Sequence, residues 1–504
     1  MRLSLLTLLA FTLTAAAQQT PHTLTYAPGK SITLSLPADL DIAVAATGIK
    51  RARFFAQAPD GRIFVTSMVN LADNTNGAIY ILDGWNAATH TFTHVIPYLQ
   101  HLRNPNNIAF YTDDAHQTWL YLPLTDRLVR YRYGAGDKAP KSPPQVLIRF
   151  PDYGLNYKYG GWHLTRTVAV ATLHGATRIY ITTGSSCNYC REREAVRASL
   201  VAMDPDGRHQ QILAHGLRNA VDLQYIPNLD RGSLFATNMG DDHLGERLPE
   251  DTFFELDSNR RPGPIAEATA PNYGWPTCYF GDGHPIHDVT PLPSDHGPKD
   301  KVIAPKPAGA PTRNPANATK RPPSPTGGDP SSATASSSPK VGSTNADSVY
   351  GNQTGVAAAG TNLAAHIHDN KDLADLGPVP EPLSSCKDVP RAYTTFAAHS
   401  SPLGFAYFGS TNSILRNTFL VALHGASRPA IGTGYRVVRF TSRDRKPEDF
   451  ITGFLTHDDA GKPVVHGRPC GILSTAPDTF FLTDDYLGLI YYIFPKSSTP
   501  SPIN

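Results

Sequence analysis

The chain has 504 residues, 40% of them hydrophobic, which is enough for one large domain, or two to three ordinary ones, with a substantial core. Its 45 basic and 43 acidic side chains leave a formal charge of +2, so nothing points to a polyanionic partner such as nucleic acid. With 44 Pro and 40 Gly, the composition suits many short strands joined by turns better than long helices.

Residues 1–17 read as a secretory signal. Arg2 supplies a short positive start, an apolar run extends from Leu3 to Leu13, and Ala15-Ala16-Ala17 fits a small-residue cleavage site, leaving Gln18 as the mature start. The run is short for a membrane anchor, and no later stretch approaches ~20 continuous apolar residues. The expectation is a periplasmic or secreted protein with no membrane span.

From there the chain repeats one local design, a turn followed by a short β-branched and aromatic run. Pro59-Asp60-Gly61 precedes Ile63-Phe64-Val65-Thr66, and Gly77 precedes Ala78-Ile79-Tyr80-Ile81-Leu82. Trp119-Leu120-Tyr121-Leu122, Arg178-Ile179-Tyr180-Ile181-Thr182 and Ser233-Leu234-Phe235-Ala236 follow, then Asn417-Thr418-Phe419-Leu420-Val421 and Phe480-Phe481-Leu482, and Leu489-Ile490-Tyr491-Tyr492-Ile493 comes last. This rhythm predicts an all-β chain, residues 18–504 forming one domain of propeller blades with about four strands each. Two packed sandwiches compete on spacing alone. The return of the same unit near both ends favours a closed ring.

Residues 291–385 break the pattern. They are rich in Pro, Ser, Ala, Gly, Thr and Lys, and Tyr350 is the only aromatic residue between Phe280 and Tyr393. Such a segment buries too little apolar surface to offset its ordering entropy, so it reads as a long disordered insertion with a short helix near Asn362 to His366. Cys278 and Cys386 flank it and can staple its ends. Cys187 and Cys190 form a CxxC, open to a disulfide, a metal half-site or a redox pair. The lack of a second CxxC, and Arg191 where haem attachment needs His, favour the disulfide and leave Cys470 odd.

Four segments carry chemistry. In Gly160-Gly161-Trp162-His163-Leu164-Thr165-Arg166, a His beside two Gly is a candidate general base, against the plain reading of a surface histidine. Gly216-Leu217-Arg218-Asn219 offers a planar cation and a directed amide, against a salt bridge between blades. Asn238 to Glu246, with Gly240 and Asp241, clusters oxygen donors that suit calcium, against an ordinary polar turn. His424-Gly425-Ala426-Ser427-Arg428 and Gly467-Arg468-Pro469 bring further cations beside strands. Together they can bind a polyanionic organic cofactor.

In these motifs the chain resembles the soluble glucose dehydrogenase and L-sorbosone dehydrogenase-like family that uses pyrroloquinoline quinone (PQQ). The resemblance runs from about Ala43 to Phe494 outside the insertion, through His163 to Arg166, Gly184-Ser185-Ser186-Cys187-Asn188, Gly216 to Asn219, and Asn238 to Asp251. It continues through Asn272-Tyr273-Gly274-Trp275-Pro276, His399 to Gly404, and Gly467 to Pro469. It implies a six-bladed β-propeller with PQQ on one face, calcium held by backbone carbonyls of the Gly240-Asp241 loop, and His163 as base. It further implies cofactor contacts from Arg218, Asn219 and Arg468, with His424 or Arg428 where the glucose enzymes carry a Lys. The nearer branch is sorbosone-like, so a sugar or related alcohol is implied without a named substrate. A separate electron acceptor is implied because no haem motif is present. A calcium-dependent lactone hydrolase and a non-catalytic propeller binding module are the competing readings.

Overall fold

The computed structural model describes residues 19–69, 73–151, 163–173, 175–227, 229, 232–256, 270–293 and 376–496. The expected signal segment, nearly all of the insertion and its short helix lie outside them. The described residues belong to one of the chain's two compact units, Met1–Gly297 with Gly355–Asn504; the other, Pro298–Thr354, lies wholly outside them.

Six four-stranded antiparallel sheets make up a β-propeller. Blade 1 contains Ala52–Gln57, Ile63–Ser67, Gly77–Asn86 and Thr91–Leu102, and blade 2 contains Ala109–Thr112, Thr118–Pro123, Arg127–Tyr133 and Gln145–Arg149. Blade 3 contains Arg166–Leu173, Ala176–Thr183, Ser199–Met203 and Gln211–His215. Blade 4 takes Ala220–Ile226, Ser233–Asn238 and Asp251–Leu256 before the insertion, and Thr394–Phe396 after it. Blade 5 contains Pro402–Phe408, Thr418–Leu423, Arg436–Thr441 and Glu448–Ile451. Blade 6 has Pro469–Ala476, Thr479–Asp484 and Leu489–Pro495, and borrows its outer strand, Leu40–Ala46, from the other end of the chain. The first strands of neighbouring blades touch in order, and Pro469–Ala476 returns to Ala52–Gln57, so the ring is closed.

The core lies between blades. Side chains of a strand alternate between faces, so a strand sandwiched between two neighbours must be apolar on both. In blade 2, Leu120 and Leu122 pack with Phe64 and Ile79 of blade 1, while Tyr121 packs with Val168 and Ile179 of blade 3. This explains the unbroken apolar runs in the sequence. The junction of blades 4 and 5 is aromatic, with Phe235 against Phe419 at 5.2 Å and Phe253 edge-on to Phe405 at 4.9 Å. Such pairs add about 0.5–1.5 kcal/mol each beyond the area they bury.

A hydroxyl tie is repeated round the ring. Near the end of a blade's second strand, a buried Thr donates to a backbone carbonyl at the start of the next blade. Thr125 bonds Leu164 (3.0 Å), Thr182 bonds Ala220 (2.9 Å), Thr237 bonds Leu403 (2.7 Å) and Thr483 bonds Arg53 (2.7 Å). Thr66 does the same to Asn106. Blade 5 has Ala422 at the corresponding place. The ring's centre is filled by Phe54, Val221, Leu403 and Cys470 from four first strands. Backbones approach so closely there that a Cβ on Gly471 would lie 2.3 Å from the Arg53 carbonyl oxygen.

Two disulfides, Cys187–Cys190 and Cys278–Cys386, match the favoured pairings, the second joining the chain on either side of residues 291–385. Cys470 is free and buried, and burial pushes its thiol up to about 12, so it packs as a small apolar group. Among the described residues no helix is long and apolar enough to cross a membrane.

Candidate functional site

Blade topology gathers the motifs. In every blade the first strand starts, and the second ends, at the same side of the sheet. His163, Arg218, His399 and Arg468 precede first strands, whereas Gly184, Met239, His424 and Asp485 follow second strands. Backbone bonds join the two sets: Met239 N–H to Asn219 O (3.1 Å), His424 N–H to Ser401 O (3.0 Å), and Asp485 N–H to Arg468 O (3.2 Å). Residues more than three hundred positions apart therefore share one face of the ring.

His163 is seated over Gly184, where an added Cβ would come within 2.4 Å of the His163 Cβ and 3.0 Å of Asn219 Oδ1. Its Nδ1 lies 2.9 Å from Ser185 Oγ. The only proton of that hydroxyl is donated to the Cys187 carbonyl at 2.6 Å. Ser185 Oγ must then accept from Nδ1–H, which leaves the basic lone pair of a neutral imidazole on Nε2. Burial first, and the Arg218 and Arg166 cations after it, hold the imidazole well below its ordinary pKa against the opposing pull of Asp242 and the Ser185 carbonyl. His163 is thus neutral at neutral pH.

Arg218 is buried, yet mostly neutral oxygens hold it. Nε donates to Asn188 O (3.0 Å), Nη2 to Asn188 Oδ1 (2.6 Å) and Nη1 to Gly240 O (2.5 Å), while Asp242 stands off at 3.7 Å. Next to it, Asn219 spends Nδ2 on the Met239 sulfur at 3.3 Å. Its buried Oδ1 has no hydrogen-bond partner among the described residues. An orphaned buried amide oxygen beside a guanidinium and a neutral imidazole marks a place prepared for a polar ligand.

The acidic loop carries Gly240 and Asp241, the residues expected to hold calcium. Gly240 O already accepts from Arg218, and Asp241 Oδ1 pairs with His243 Nδ1 at 2.6 Å. Asp242 pairs with His399 at 3.1 Å, and Asp251 accepts from the Gly240 and Ser401 amides, both at 2.8 Å. A guanidinium meets one of the two backbone carbonyls expected to hold calcium, Gly240 O, while imidazoles and amides meet the side-chain carboxylates of the loop. Among the described residues the one cluster with metal-ligand chemistry is Cys187, Cys190 and Glu192, whose thiols are joined to each other.

Across the ring, Arg468 donates to the carbonyls of Gly425 (3.0 Å) and Ala426 (3.1 Å) and to Tyr435 Oη (2.8 Å), with its guanidinium 4.7 Å from the Tyr435 ring centre. His424 stands at the same edge, but it does not supply the positive charge expected there. Its Nε2 is 2.8 Å from Asp485 Oδ1, and burial pushes its pKa down to about 4 in spite of that carboxylate. Arg428 is not brought to the group. Its side chain is 69% exposed and sits 3.4 Å from the equally exposed Glu246. The structure adds residues the motifs did not single out. Arg51 and Arg53 approach Asp485 at 3.4 and 3.6 Å, and Arg53 also bonds Asn106 Oδ1 at 3.0 Å. Against burial, these two cations and His424 hold the Asp485 carboxyl below the usual carboxylate range.

No protein-family model matches the chain, and no curated protein matches it. Solved structures do. The holo form of the PQQ domain of pyranose dehydrogenase from Coprinopsis cinerea superposes with a TM-score of 0.56 at 15% identity, over 92% of this chain and 97% of that one. A calcium structure of the carbohydrate-active enzyme family AA12 from Trichoderma reesei gives 0.53 at 13%, over 92% and 96%. At such identities the likeness is one of fold.

Proposed function

We propose that the chain is a PQQ-dependent oxidoreductase that oxidises a sugar or a related alcohol or aldehyde, with His163 as its general base. One observation carries the reading. A neutral imidazole with its lone pair on Nε2 shares a face with an orphaned amide oxygen and two guanidiniums, Arg218 and Arg468, whose hydrogen-bond partners are neutral oxygens. Cations held this way keep their charge for an anionic ligand. Arg218, Asn219 and Arg468 would hold PQQ, a tricarboxylate. When bound, it supplies a two-electron acceptor that no side chain here can provide.

The chain's own groups do the rest. His163 Nε2 accepts the substrate hydroxyl proton, and Ser185 fixes the tautomer that makes it a base. Arg218 favours the neutral imidazole before the proton arrives. Calcium, if bound, would sit on the backbone carbonyls of Gly240 and Asp241, and no step here is routed through it. Arg218 and Arg468 weigh against a calcium-dependent lactone hydrolase, which needs carboxylates and amides rather than guanidiniums at the ring centre. The fold of the pyranose dehydrogenase PQQ domain supports the quinone reading, and two disulfides support a periplasmic or secreted site of action. A separate electron acceptor closes the cycle.

Equilibrium titration of the purified protein with PQQ, followed by quinone absorbance, tests the assignment. Saturable binding at micromolar PQQ is expected, with dye reduction on adding an aldose. His163→Ala should bind PQQ as wild type does and lose dye reduction by about 10²–10⁴-fold, the usual worth of a general base. Absence of any spectral change with wild-type protein overturns the cofactor assignment.

A further inference from the structure

Two residues, Asn188 and Tyr189, lie between the half-cystines of the Cys187–Cys190 disulfide. Both reach into the loops of blade 4. The Asn188 carbonyl accepts from Arg218 Nε (3.0 Å) and from Trp275 Nε1 (3.2 Å). Its Oδ1 accepts from Arg218 Nη2 (2.6 Å) and from the backbone amide of Asp242 (3.0 Å). One residue therefore grips two sides of the guanidinium and pins the start of the acidic loop. Tyr189 stacks on His243 at 3.9 Å and donates to the Thr290 carbonyl at 2.6 Å. The disulfide itself packs with Ala198 and Trp275 in a small buried cluster.

We propose that Asn188, fixed by the Cys187–Cys190 disulfide, is the positioning residue that sets Arg218 beside His163 and docks the acidic loop at Asp242. The chemistry explains the residue type. An Asp at this position would offer the same two acceptors but would cancel the Arg218 charge. The amide holds the guanidinium and leaves its charge available. A Ser or Ala would supply the carbonyl alone. The role depends on the functional reading above only in what Arg218 is used for; the grip itself belongs to the protein without any ligand.

The test reads Arg218 directly. In protein labelled with ¹⁵N at arginine side chains, solvent exchange of the Arg218 Nη–H groups is measured, Nη2 being the donor to Asn188 Oδ1, with the resonances assigned by their loss in Arg218→Lys. Slow exchange is expected in wild-type protein. Asn188→Ala should speed it about tenfold or more, the scale set by losing a hydrogen bond to a charged group. Asn188→Asp should restore slow exchange while weakening PQQ binding. Cys187→Ser/Cys190→Ser, which keeps Asn188, should speed exchange to an intermediate degree. It also decides the matter if Asn188→Ala does not fold. Unchanged exchange in Asn188→Ala overturns the positioning role, and unchanged exchange in the cysteine variant overturns the part given to the disulfide. Failure of wild-type protein to bind PQQ would count against the proposed function and leave the exchange result to stand alone.

Discussion

Two arginine clusters share the loop face of the ring, and they are built on opposite terms. Around Arg218 the partners are carbonyl and amide oxygens, and the nearest carboxylate, Asp242, is 3.7 Å away. Around Asp485 the partners of Arg51, Arg53 and His424 converge on one fully buried carboxylate. The first arrangement holds a charge and keeps it available. The second spends charge on closing the ring, since Asp485 and Arg468 belong to the last blade, Arg51 and Arg53 lead into the first, and His424 comes from the fifth. Residue type alone does not separate the two arrangements; the partner's charge does.

The comparison breaks most visibly at Asp485. Asp485→Ala leaves buried cations facing each other and should cost about 3–5 kcal/mol in urea unfolding. A loss below ~1 kcal/mol would show that the cluster does not hold the ring. His424 gives a smaller, pH-dependent effect. Its folded pKa, pushed down to about 4 by burial and by Arg468 and Arg53 against Asp485, lies below the ordinary imidazole value of 6.5. Between those values the unfolded chain binds a proton that the folded one refuses, so stability falls as pH drops through this window and is unaffected above it. The sum is at most about 3.5 kcal/mol at ~1.4 kcal/mol per pH unit. His424→Gln keeps a donor for Asp485 and should flatten that part of the stability profile, and an unchanged slope would place the titration elsewhere. Arg428 is the control. Arg428→Ala removes an exposed pair with Glu246 and should change stability by less than ~0.5 kcal/mol and leave PQQ titration unmoved.

The blades were legible in the sequence because a strand buried on both faces writes itself as a continuous apolar run closed by a turn, as Leu120-Tyr121-Leu122 does. The shared face was legible too, since each motif sits beside a strand end. Asp485, Arg51 and Arg53 were missed because their meeting depends on ring closure across more than four hundred residues. A signal was present. Asp485 follows Thr483 by two positions, as Met239 follows Thr237 and Gly184 follows Thr182. Reading that offset as a repeat would have placed His424, two after Ala422, opposite Asp485. The acidic loop was legible only in part. Its oxygens suit a cation by type, and Arg218 and His399, which arrive from elsewhere in the chain, meet Gly240 O and Asp242.

Leu40–Ala46 pairs with Leu489–Pro495 to finish the sixth blade. A ribosome releases the first of these strands long before it makes the second. Until then Leu40–Ala46 is a lone sticky edge with no partner of its own, the kind of strand that recruits other chains. Pairing ends so far apart also makes for slow folding, because the largest loop must close last. The ring therefore cannot close before Leu489–Pro495 has been made. Truncation anywhere in the last blade should yield a protein that clumps rather than one that merely lacks a piece.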